Sequence, residues 1–211
     1  MKYLFIVLLL FVTSNMFAQS DKKSEKILDQ MSSEIKQLNS FYIEFTVHIK
    51  NPATGEDSDQ EGIGYIKGDK YYATLDKMTL ISNAIKTWTI VNEEKVTYQS
   101  DVVNDDESMN PKKLMTIWEE GFKSKYVKET TLNGRKVHQI GLYPIHPDEV
   151  NYHTIILYIG KNNELQQARM KTKDGSIMTY TIQSFEKNKS VTKSKFVYNP
   201  QKYPGYQLIR D

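Results

Sequence analysis

Phe41-Tyr42-Ile43-Glu44-Phe45-Thr46-Val47-His48-Ile49-Lys50 is the stretch from which the fold follows. Phe41, Ile43, Phe45, Val47 and Ile49 alternate with Tyr42, Glu44, Thr46, His48 and Lys50, and a period of two places the first set on one face of a strand and the second on the other. One face is greasy and the other wet. Just upstream, Ile27, Leu28, Met31, Ile35 and Leu38 recur near three- and four-residue spacing among Lys, Glu and Gln. That spacing predicts an amphipathic helix over Ser24 to Leu38.

Downstream, Asn51 to Glu61 reads as a polar loop with Pro52 and Gly55. Short strand-like runs then succeed one another at Gly62 to Lys67, Tyr71 to Leu75, Thr79 to Ser82, Thr87 to Val91 and Val96 to Gln99. Connections of a few polar residues favour antiparallel neighbours, because parallel pairs need long crossovers. Asp101 to Met109 is acidic and reads as loop, after which Asn110-Pro111 offers an N-cap and first-turn proline for a short second helix ending at Gly121. The rest returns to strands: Lys125 to Thr131 and Lys136 to Leu142 around Asn133-Gly134, Thr154 to Ile159 and Leu165 to Lys173 around Asn162-Asn163, and Ile177 to Phe185 across Asp174-Gly175. A final run at Lys195 to Tyr198 precedes Pro200, Pro204 and Gly205, with Leu208 and Ile209 as a last edge strand. Roughly ten strands exceed what a flat open sheet carries without curling. The expected class is mainly β (α+β), a strongly curved, unclosed antiparallel β-barrel covered by short helices.

At the N-terminus, Lys2 supplies a basic start, Tyr3 to Val12 an unbroken apolar run, and Met16-Phe17-Ala18 a cleavage site. Residues 1–18 thus read as a signal peptide, and the expected destination is the periplasm. The run is short of the ~20 residues that span a bilayer. Residues 19–211 suit one domain. The leader holds one basic residue, so its removal takes the formal net charge from +2 to +1, too balanced to suggest a nucleic-acid partner. Cysteine is absent, which excludes disulfides, thiolate metal sites, cysteine nucleophiles and a lipid-modified N-terminal cysteine. Fourteen tyrosines and eight phenylalanines favour sheet and broad apolar contact surfaces.

No phosphate-binding glycine loop, nucleophile elbow or helical zinc motif occurs in the chain. His146-Pro147-Asp148-Glu149 with His153 gathers two imidazoles and two carboxylates, but Pro144 and Pro147 mark an exposed loop and the ligand spacing of a metal site is missing. Asp101, Asp105, Asp106 and Glu107 lack the glycine and terminal glutamate of a calcium loop. No metal, cofactor or catalytic residue is assigned, and no enzyme is expected.

Ser40-Phe41-Tyr42-Ile43-Glu44-Phe45-Thr46, following the amphipathic helix, resembles the first strand of the LolA-type outer-membrane lipoprotein carriers. Glu61 to Lys67 is similar to the strand leading to that family's Lys-Arg-Pro turn, and Leu80 to Trp88 to its Ser-Asp-Gly-Lys-x-x-Trp segment. Asp174-Gly175 and Lys195-Phe196-Val197-Tyr198-Asn199-Pro200 resemble its last hairpin and its Phe-x-Phe-x-Pro ending. Two departures stand out: Gly68 lies where the arginine that restrains the family's lid would fall, and Asn83-Ala84 replaces Asp-Gly.

The resemblance implies an apolar cavity that shields the acyl chains of lipoproteins and moves them from the inner toward the outer membrane. The implied partners are acylated lipoproteins, an inner-membrane lipoprotein-release complex and an outer-membrane receptor, with the carrier a monomer. Burying a methylene contributes ~0.8 kcal/mol, so about ten give roughly 8 kcal/mol, near micromolar affinity before ordering costs. Aromatic and thioether walls adapt to floppy chains, and Phe41, Phe45, Tyr65, Tyr72, Trp88, Trp118, Met170 and Met178 are the candidate lining. A second reading is a non-enzymatic periplasmic sensor or protein-binding domain on the same curled sheet. A third is a hydrolase built around His146, Asp148 and His153.

Overall fold

The computed structural model describes residues 21–102 and 116–210. The leader at 1–18, most of the acidic loop and the start of the expected second helix lie outside the described residues. Helix α1 runs over 21–36. Twelve strands follow it: β1 (Phe41–Asn51), β2 (Glu56–Lys67), β3 (Lys70–Leu75), β4 (Met78–Ser82), β5 (Lys86–Val91), β6 (Val96–Asp101), β7 (Phe122–Leu132), β8 (Arg135–Pro144), β9 (Tyr152–Gly160), β10 (Leu165–Thr172), β11 (Ile177–Lys187) and β12 (Gln207–Arg210). All belong to one sheet that does not close on itself, so the class is mainly β, as expected. By internal contacts the chain divides into two compact units, each made of two stretches of sequence.

The first, the meander unit, comprises Ile35–Ile117 and Thr179–Asp211. Its strand order is β12-β6-β5-β4-β3-β2-β1-β11. From β1 to β6 every neighbour is antiparallel, as the short polar connections require. The expected polar loop at Asn51–Glu61 is mostly strand: β1 runs through Asn51 and β2 starts at Glu56. Polarity misled because β2 opens with polar side chains on both faces, Glu56 to Glu61. Two of them pair with side chains of β1, His48 Nδ1 lying 2.9 Å from Asp59 and Lys50 Nζ 3.3 Å from Asp57.

The first half of the run Lys195 to Tyr198, read as extended, lies in a 3-10 turn at Lys193–Phe196. Phe196 is 1% exposed, and the turn buries that ring with a compactness a strand would not give. The edge strand at Leu208 and Ile209 does form, as β12, but it pairs parallel with β6. The two strands are far apart in sequence, so no short turn dictates an antiparallel pairing between them.

The second, the helix unit, comprises Met1–Glu34 and Trp118–Met178, with strand order β10-β9-β8-β7. Asn133 and Gly134 both take positive φ, 49° and 77°, the conformation that selects Asn-Gly for a two-residue hairpin. Helix α1 buries Ser24, Ile27, Leu28, Met31 and Ser32, the three- and four-residue stripe read from the sequence. Ser24 Oγ donates to the carbonyl of Asp21 at 2.7 Å and lies 2.8 Å from Ser124 Oγ on β7. Lys23 Nζ sits 3.7 Å from the centre of the Tyr126 ring, and Asn163 Nδ2 donates to Glu34 at 3.1 Å. Cross-strand register puts Ser124 and Tyr126 on the same face as Ile140, Leu142, Ile155 and Leu157, so α1 covers that face. Where the second helix was expected, the described residues show a 3-10 turn at Ile117–Glu119, and Trp118 Nε1 donates to Ser32 Oγ of α1 at 2.7 Å.

Candidate functional site

In the meander unit the register is unbroken from β1 to β6, so each cross-strand row can be followed through six strands. Tyr42, Tyr65, Tyr72, Ile81, Trp88 and Gln99 form one such row. Phe45, Gly62, Leu75, Met78, Val91 and Val96 form another, and Ile43, Gly64, Ala73, Leu80, Thr89 and Tyr98 a third. Odd and even positions of β1 point to opposite faces. The first row therefore lies on one face and the other two on the opposite one.

The Tyr42 face is filled by the chain's own C-terminal segment. Tyr42 and Tyr65 rings lie 4.5 Å apart, and Tyr65 and Tyr72 meet edge-on at 6.4 Å. Lys195 Nζ sits 3.8 Å from the Tyr72 ring centre and 4.7 Å from that of Tyr65, a geometry in which the ring quadrupoles attract the cation. Burial, and secondarily Lys202, lowers the Lys195 pKa. Trp88, 7% exposed, stacks on Tyr198, which stacks on Tyr203. Its Nε1 donates to Gln99 in the same row at 3.0 Å. Tyr72, Tyr198, Tyr203, Tyr206 and Leu208 close over Ile81, Trp88 and Ile90. At the row's far end the Tyr42 hydroxyl donates to Glu44 at 2.6 Å, and that carboxylate, with burial, raises the tyrosine's pKa.

The Phe45 face is different in kind. Its apolar residues fall into two sets, with Phe41, Ile43, Val47 and Ala73 buried and Phe45, Ile49, Leu75, Met78, Leu80 and Val91 half-buried, and its middle is made small by Gly62, Gly64 and Ala73. A Cβ on Gly62 would stand 2.3 Å from the Phe45 ring, and one on Gly64 2.9 Å from Ile43. Gly62 therefore lets the aromatic ring of β1 lie across the backbone of β2, a close approach no side chain at 62 would permit. The result is a surface lined by hydrocarbon, with polar Ser82, Thr87 and Ser100 on the adjoining row.

Of the sequence-predicted lining residues, Phe41 and Phe45 lie on this apolar face. Phe41 is buried, 5.3 Å from the Phe185 ring. Tyr65, Tyr72 and Trp88 lie on the opposite face, under the C-terminal segment. Trp118, Met170 and Met178 belong to the helix unit. There Trp118 is bonded to α1, Met170 pairs across to Ile155 on the α1-covered face, and Met178 is half-buried. Leu75, Met78, Leu80 and Val91 were missed as lining candidates. Counting the hairpin register outward from Phe45 is the signal that finds them.

His146, Asp148, Glu149 and His153 are exposed. Among the described residues no three His, Asp or Glu side chains come together in a way that would hold a metal ion. Among the same residues no helix is long and apolar enough to cross a membrane.

No curated protein matches the sequence. Among solved structures, an uncharacterized conserved protein from Thermus thermophilus superposes with a TM-score of 0.60 at 10% identity, covering 90% of this chain and 99% of its own. A LolA superfamily protein from Nitrosomonas europaea gives 0.44 at 9% identity, covering 83% and 97%. LprF from Mycobacterium bovis gives 0.48 at 11%, covering 85% and 97%. At such identities the first likeness is one of fold. The sequence model of the outer membrane lipoprotein carrier protein LolA matches residues 70–199, from β3 to the turn before β12. That span exceeds half the chain, and the chain belongs to the LolA family.

Proposed function

We propose that this protein is a periplasmic carrier that shelters the acyl chains of lipoproteins against the Phe45 face of its meander unit. The observation that carries the reading is the contrast between two faces of the same strands. One is sealed by the chain's own aromatic C-terminal segment, while the other keeps a half-buried strip of Phe45, Leu75, Met78, Leu80 and Val91 flanking two glycines. A monomer spends no apolar surface of this kind without a partner for it. An acyl chain suits it because the strip offers hydrocarbon contact with no charged side chain in the Ile43 and Phe45 rows. At ~0.8 kcal/mol per methylene, a chain of about ten buried methylenes binds tightly enough to cross water and loosely enough to be handed on.

In this reading Phe41 and Phe45 line the acyl site, while Tyr65, Tyr72 and Trp88 hold the C-terminal segment. An inner-membrane release complex loads the carrier and an outer-membrane acceptor empties it. The test is to isolate the full mature chain from its own periplasm and identify what it carries by mass spectrometry. Acylated lipoproteins in stoichiometric amounts are expected. Protein free of lipid and lipoprotein, even with the release complex present, refutes the carrier role.

A further inference from the structure

The face of the helix unit turned away from α1 carries a second pattern. Following the register from β7 to β10, its rows read Lys128, Gln139, Tyr158, Gln167; then Lys125, Gly141, Ile156, Arg169; then Lys123, Tyr143, with Thr154 and Lys171 in the corresponding places. Five cations thus frame a centre of two tyrosines and an isoleucine. All five are exposed, while Ile156 and Tyr158 are half-buried. Tyr143 is 40% exposed, and its ring lies back over Gly141, where a Cβ would stand 3.0 Å from it. None of the twelve positions in these rows is acidic. Glu129 lies on the other face, where it binds Lys161 and Lys136, and Asp148, Glu149 and Asp174 lie in end loops. In a chain whose formal charge is only +2, these rows hold five cations and no carboxylate.

We infer that this face docks the protein on an anionic phospholipid surface. Charge complementarity selects the occupant, since lysine or arginine near an anionic bilayer contributes ~1 kcal/mol each. The centre selects lipid over an acidic polypeptide. Tyrosine rings with an apolar body and a polar tip suit the headgroup level, and an acidic peptide would gain little from them. The three rows run across four adjacent strands, so the cations and tyrosines form one continuous surface. This inference does not rest on the acyl-chain reading, because it concerns another unit and another ligand.

The experiment is sedimentation of the full mature chain with vesicles of pure phosphatidylcholine and of phosphatidylcholine containing 30% phosphatidylglycerol. Binding is expected to the anionic vesicles alone and to weaken steeply with added salt. The double variant Lys123→Glu, Arg169→Glu is expected to bind at least ~10-fold more weakly. The pair Lys70→Glu, Lys95→Glu, with the same net charge at exposed positions of the meander unit, is expected to bind as the parent does. Tyr143→Ser should weaken partitioning without altering the salt slope. All these sites are exposed, and unchanged circular dichroism confirms folding. Equal loss in both charge-reversal pairs, or equal binding to both vesicle types, overturns the inference. Capture of polyglutamate without binding to anionic vesicles overturns it in favour of an acidic protein partner.

Discussion

Ala84 holds φ at +74° in the β4–β5 turn, a left-handed conformation in which a Cβ crowds the following carbonyl at a cost of ~1–2 kcal/mol. It stands where the Asp-Gly of the family pattern has its glycine, the residue that takes this conformation without a Cβ clash. Asn83 supports the turn, its Oδ1 accepting from the backbone amides of Ile85 at 2.9 Å and Lys86 at 2.8 Å. Ala84→Gly is therefore expected to raise stability by about 1 kcal/mol in urea denaturation, and a loss would show that the strain is relieved by contacts. Gly62 gives the opposite case. Gly62→Ala drives a methyl into the Phe45 ring and should cost about 1–3 kcal/mol as the ring shifts. His138 adds a pH dependence. Burial, then Lys23 and Lys161 against Glu129, lowers its pKa below 6.5, and the Tyr126 hydroxyl lies 3.2 Å from its Nδ1. Between the folded and unfolded pKa values the unfolded chain holds the proton and the folded one does not, so stability falls as pH drops below about 6.5. In His138→Gln that part of the slope should vanish, and an unchanged pH profile would exclude the histidine as its source.

At the scale of elements, the C-terminal segment behaves as a plug on the Tyr42 face. Tyr198→Ala removes the ring stacked 6.1 Å from Trp88. It should red-shift tryptophan emission and cost about 3 kcal/mol, whereas emission that does not move would mean other residues bury the indole. The plug also marks where reading the sequence failed. Periodicity found β1 and α1 because each shows one apolar stripe against water, and the Asn133-Gly134 pair found the hairpin through its turn chemistry. Periodicity failed for the start of β2, whose side chains are polar on both faces, and for Lys193–Phe196, whose one aromatic, Phe196, is buried from a turn and not from a strand. The candidate lining was half legible for the same reason. Composition singled out Trp88, Tyr65 and Tyr72 as large and apolar. Their face is decided by the phase of each hairpin relative to β1, which emerges only when the strands are laid in register.

At the scale of the whole molecule the two faces of the meander give opposed expectations for one measurement. A fluorescent fatty acid that brightens in apolar surroundings reports uptake by the full mature chain. Leu80 is half-buried on the row of Ile43, Gly64 and Ala73, so Leu80→Asp places a carboxylate where the hydrocarbon would lie. The carboxylate must be desolvated or protonated for the chain to bind, and affinity should fall at least ~10-fold, with a loss of ~1.4 kcal/mol or more. Trp88→Phe changes a larger side chain but on the sealed face, so it should lower stability by about 1 kcal/mol and leave probe affinity within twofold. Stability measured on both variants separates unfolding from lost binding. If Trp88→Phe abolishes uptake while Leu80→Asp does not, the hydrocarbon enters beneath the C-terminal segment. The plug must then swing away during loading, and Lys195 leave the tyrosine rings of β2 and β3, for the carrier to work.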